Sequence, residues 1–127
     1  MPAPGKWASA IADAGFDAQL DSDFDVDSFT GFLPCTYKGE PAGFEYYADP
    51  LDADARAELR LPDAFDFAVT FVTGSNMREF ITSFIASGIL CQISGGTFFD
   101  PQSGEFTPAD SVLEMLKSEV AECEKHL

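Results

Sequence analysis

Four aspartates at alternate positions, Asp21, Asp23, Asp25 and Asp27, are the first residues whose spacing invites a chemical reading. Carboxylates are the natural ligands of calcium. A calcium loop of the EF-hand kind needs glycine at its sixth position and glutamate at its twelfth. Counted from Asp21, those places hold Val26 and Phe32; counted from Asp23, they hold Ser28 and Pro34. Both registers fail. Period-two spacing in an extended segment instead sets the four carboxylates on one face and Phe24 and Val26 on the other. That pattern suits an edge strand or loop kept soluble by charge, or an acidic stripe facing a partner.

Catalytic constellations are harder to build. The single histidine, His126, is the penultimate residue, where helix ends fray and its charge is more simply matched to the helix dipole. Cys35, Cys91 and Cys123 are an odd number without a CxxC pair, so they form no closed disulfide framework and read as free thiols of a reducing compartment. Cys35, after Pro34 in a predicted strand, is the one thiol whose reactivity merits a test. Thr73-Gly74-Ser75-Asn76 joins a strand to a helix and could hold an anion on backbone amides. The chain lacks both GxGxxG and GxxxxGK[ST], however, and the turn reads as a helix cap. No catalytic, cofactor or metal residue is expected.

The segment from Phe44 to Asp54 offers a surface rather than a reaction. On a strand, Phe44 and Tyr46 point one way while Glu45 and Tyr47 point the other. One tyrosine is then free to stand beside Asp49, Asp52 and Asp54. Tyrosine supplies contact area at low entropy cost, and carboxylates steer a basic partner. The alternative is a buried aromatic pair in a two-sided sheet. The expected contact residues are Asp21, Asp23, Asp25, Asp27, Glu45, Tyr46, Tyr47, Asp49, Asp52 and Asp54.

The elements that must position these groups belong to one domain spanning residues 1–127. Hydrophobic residues make up 46%, enough for a core and too many for disorder. Net charge is −15, which disfavours direct nucleic-acid or anionic-membrane binding and favours a basic protein partner. Residues 1–66 hold 14 acids against 4 bases, so the charge is polarised toward the first half. No apolar run approaches the ~18 residues of a membrane span. With no signal-like head, the expected location is cytoplasmic.

Periodicity predicts a first helix over Lys6–Ala14, a strand over Phe29–Tyr37 and a hairpin return over Phe44–Tyr47. Pro50 and Asp52 open a short helix through Leu59, ended by Pro62. The strand Phe65–Val72 has Phe65, Phe67, Val69 and Phe71 on one face and Asp66, Ala68 and Thr70 on the other. A helix from Met77 to about Ser94 is capped by Ser75 or Asn76, with Phe80, Ile81, Phe84, Ile85 and Ile89 on its apolar stripe. Thr97–Phe99 and Glu105–Thr107 form a second hairpin. A last helix starts at Thr107-Pro108 and buries Val112, Leu113, Leu116, Val120, Cys123 and Leu127. The expected fold is an α+β two-layer sandwich: a mainly antiparallel sheet of about five strands with three main helices.

The runs Gly31-Phe32-Leu33-Pro34-Cys35 and Gly43-Phe44-Glu45-Tyr46-Tyr47, followed by a strand, a helix and residues Ser94 to Glu105, resemble small bacterial immunity proteins of polymorphic, contact-dependent or type VI toxin systems. The likeness lies in motif order over roughly residues 29–120. It implies a non-enzymatic protein that binds and neutralises a cognate protein toxin, here through an acidic, aromatic-containing surface matched to a basic one. It brings no catalytic residues. A second reading is an acidic nucleic-acid mimic, from a phage or mobile element, that inhibits a nuclease. A third is a small ligand-binding domain using the Thr73–Asn76 turn. No cofactor is expected, and the oligomeric state does not follow from the sequence.

Overall fold

The computed structural model describes residues 3–21, 24–26, 29–60, 67–73, 76–100 and 104–126. Helix α1, Pro4–Asp13, places its proline in the first turn, where an N–H has no partner to lose. Trp7 and Ile11, one turn apart, form its buried pair. Strand β1, Ala18–Leu20, follows.

The aromatic run after residue 29 is two strands rather than the one expected. β2, Thr30–Leu33, and β3, Cys35–Tyr37, are separated by Pro34. Proline has no N–H for a ladder, and here the chain passes from one sheet to another. β2 pairs with β5, Phe44–Pro50, whereas β3 pairs with β1 and with β4, Glu40–Pro41. The Pro34 carbonyl accepts the Asp21 N–H at 3.1 Å. The anticipated hairpin therefore exists as a nest. β2 and β5 are the outer pair, in register Leu33↔Phe44. β3 and β4 close inside it across Lys38-Gly39, both at positive φ (51° and 79°) as a two-residue type I′ turn demands.

Helix α2, Ala53–Leu59, starts at Asp52, whose carboxylate accepts the Ala55 N–H at 2.8 Å, and stops at Arg60 in the left-handed region. Pro62, Phe65 and Asp66 lie outside the described residues. β6, Phe67–Val72, pairs with β5 and completes the sheet β2-β5-β6. Among the described residues the eight strands form three antiparallel sheets, not one of about five.

Helix α3, Met77–Ser94, has the predicted extent. The Asn76 side chain accepts from the N–H groups of Arg78 and Glu79, and Gly95 ends the helix in the left-handed region. Ser75 lies outside the described residues. Burial reaches beyond one stripe to Thr82, Ser83, Ala86, Leu90 and Cys91. Thr82 and Ser83 tolerate this because each hydroxyl donates to a carbonyl of its own helix. Phe80, assigned to the stripe, is instead among the exposed aromatics.

β7, Thr97–Asp100, and β8, Glu105–Pro108, pair as the second hairpin. Helix α4, Val112–Glu124, begins later than Thr107-Pro108 suggests. Those residues extend the ladder opposite Phe98 and Thr97, so the helix waits for Ser111, which makes no side-chain cap bond. Val112, Leu116 and Val120 are its buried seam; Leu127 lies outside the described residues.

The layers meet at α3. Trp7 Nε1 of α1 donates to the Ala86 carbonyl at 2.9 Å. Gly88 lets α4 approach closely, since a Cβ there would stand 2.5 Å from Leu116 Cδ2. The sheet contributes Leu33, Phe44 and Tyr46 to the same core. Helices packed on antiparallel sheets make this an α+β sandwich, in the class the sequence predicts.

Candidate functional site

The register of β2-β5-β6 sorts its side chains into two faces. Leu33 and Phe44 are opposite one another, as are Gly31, Tyr46 and Phe71 in the next row, and these face the core. The alternate rows stand outside. They are Phe32, Glu45 and Val72, then Thr30, Tyr47 and Thr70, then Asp49 with Ala68. None of these eight outer residues is basic.

Tyr46, expected as a contact residue, is corrected by this register: it has no exposed surface. Its ring packs at 5.5–6.0 Å from Trp7, Phe24, Phe29 and Phe71, and its hydroxyl donates to the Val26 carbonyl. Tyr47 is the tyrosine on the outer face, half-buried, and the charge of Glu45 beside it, with their hydrogen bond, raises its hydroxyl pKa. Glu45 and Asp49 flank it on the same strand, both exposed. Asp52 is exposed but engaged in capping α2, and Asp54 is exposed in that helix's first turn.

The aspartate run occupies a different place. Phe24 and Val26 turn inward and Asp21 and Asp25 outward, in a loop rather than a strand. Asp23 and Asp27 lie outside the described residues. Because Phe24, Val26 and Phe29 all meet Tyr46, this loop packs on the inner side of the sheet. Glu45, Tyr47 and Asp49 stand on the outer side. Of the expected contact residues, Glu45, Tyr47 and Asp49 share the outer face, and Asp25 belongs to the segment packed on the inner side. No group of three or more potential metal-ligating side chains occurs among the described residues.

Two residues missed in the sequence complete the outer face. Phe32 is 61% exposed and Val72 43%, and they stand on either side of Glu45 in one row. With Gly43, Phe44, Thr73 and Glu79 they line an open hollow of about 310 Å³. Gly43 is what admits the Phe32 ring, whose Cζ would stand 2.3 Å from a Cβ there. The available signal was Val72 itself, an apolar side chain on the face otherwise carrying Ala68 and Thr70.

The thiols are ill suited to nucleophilic work. Burial, with the Asp21 charge nearby, pushes Cys35 up to about 12, and its Sγ donates to the Leu33 carbonyl at 3.6 Å. Burial alone raises Cys91 to about 11. Burial and the charges of Glu119 and Glu122 raise Cys123. At the Thr73–Asn76 turn, Asn76 already occupies two helix N–H groups; Gly74 and Ser75 lie outside the described residues. No helix among the described residues is long and apolar enough to cross a membrane.

Comparison with known proteins finds no family model, no curated protein and no solved structure that matches this chain.

Proposed function

We propose that the chain is a non-enzymatic binding protein of the immunity type, which neutralises a cognate toxin domain by docking on its cationic surface. The observation that carries this reading is the acidity of the surface. Net charge is −15, and Asp13, Asp17, Asp25, Asp49, Asp54, Glu58, Glu114 and Glu119 are among the exposed carboxylates. Carboxylates crowded in this way repel one another in the isolated protein and are relieved when a cationic surface covers them. Their long-range field raises the rate of encounter, which matters for an inhibitor that must act before its target does.

The test is co-expression with the C-terminal domain encoded by the adjacent gene. The expected outcome is restored growth, a stable complex, and an association rate that falls about tenfold or more between low and high salt. Failure to form a complex, or turnover of a substrate by the isolated chain, would reject the reading.

A further inference from the structure

Resting on the immunity reading, we infer that the outer face of β2-β5-β6 is the docking surface, and that its hollow takes an apolar side chain flanked by lysine or arginine in an extended segment of the partner. Interfaces derive their affinity from a desolvated centre ringed by polar groups. Here Phe32 and Val72 supply the apolar walls, with Tyr47 in the adjoining row. Glu45 stands between the two walls, Asp49 follows Tyr47 along β5, and Glu79 closes the hollow from the first turn of α3.

Charge chooses the occupant. The charged residues on the outer rows, Glu45 and Asp49, are both acidic, and Lys38 of the β3–β4 turn is already engaged. Lys38 pairs with Glu124 at 3.1 Å. A second copy of this chain would bring its own Glu45, Asp49 and Glu79 against the same three carboxylates, inside a pair carrying twice the net charge. A cationic segment meets no such repulsion. Its central apolar residue would fill the hollow while its flanking cations meet Glu45 and Glu79.

The test uses the full chain labelled with ¹⁵N and a six-residue peptide of two central leucines flanked by lysines. A matched peptide with glutamates in place of the lysines serves as control. The lysine peptide should shift amide resonances of Phe32, Glu45, Tyr47, Val72 and Glu79 together, and the control should not. Phe32→Ser, at a side chain mostly in solvent, should keep the fold by circular dichroism and weaken peptide binding by about tenfold. Shifts spread over all acidic surfaces, shifts centred on α4, equal binding by Phe32→Ser, or dimerisation through this face in sedimentation would each overturn the proposal. A parallel measurement with the adjacent-gene domain separates the two readings. If that domain binds wild type and Phe32→Ser equally, the face is wrong and the immunity reading stands. If it binds neither while the peptide still finds the hollow, the face stands and that partner is wrong.

Discussion

At the scale of single residues, Tyr37, Lys38 and Glu124 form a tie between elements far apart in sequence. The Tyr37 hydroxyl donates to the Glu124 carboxylate, which also meets Lys38, so the end of α4 is fastened to the β3–β4 hairpin. The hydrogen bond from Tyr37, then that from Lys38, lowers the Glu124 pKa, while burial raises the Tyr37 pKa. A carboxylate with a depressed folded-state pKa contributes stability that is complete above the unfolded value and is lost as pH falls through the folded one. Glu124→Gln should therefore destabilise the protein at neutral pH. The difference from wild type should shrink as pH is lowered below the ordinary carboxylate range, read from urea midpoints along a pH series; a pH-independent difference would contradict the assignment. The residue-scale features of the outer face were partly legible. Period-two spacing put Glu45, Tyr47 and Asp49 on one side of β5. Which tyrosine was buried depended on Phe24, Val26 and Phe29 packing against the sheet, a long-range event that no local pattern encodes.

At the scale of elements, local chemistry was read correctly where it acts locally. Asn76 and Gly95 bound α3 because a cap and a left-handed stop need only neighbours in sequence. Thr107-Pro108 carried an equally good start signal and lost it to a ladder, since Pro108 and Thr107 lie opposite Thr97 and Phe98. Pro34 divided an apolar run whose periodicity looked continuous. The exposed pair Phe32 and Val72 stayed hidden because their shared row exists only once the register across β5 is known. The α3–α4 seam yields a sharper expectation. Leu116 is fully buried against Gly88, so the leucine has little room to retreat. Gly88→Ala should cost about 1–3 kcal/mol through overpacking, despite the better helix propensity of alanine. Chemical denaturation would measure it, and a stabilised variant would show the helices free to move apart.

At the scale of the whole molecule, charge acts with opposite sign on folding and on association. A chain at −15 is strained by its own field when folded, and among the described residues the ion pairs Lys38–Glu124 and Lys125–Glu122 both sit at the end of α4. Raising sodium chloride from about 0.05 M to about 0.5 M shortens the screening length from above 10 Å to a few ångströms. The isolated protein should melt at a higher temperature in the saltier buffer, even as capture of a cationic partner slows. A melting temperature indifferent to salt would mean that the carboxylates are too far apart to matter. Composition alone announced this polarity, and the α+β class followed from interleaved periods of two and 3.6. The division into three sheets did not, because pairing partners are chosen in space.

The sole tryptophan gives the fold its own optical reporter. Trp7 is sealed from solvent, bonded to the α3 backbone and ringed by Phe24, Tyr46 and Phe71. One indole thus senses the amino-terminal helix, the central helix and the sheet at once. Its emission should begin at short wavelength and move red when those three part company, so a single fluorescence trace follows the molecule's unity without any added label.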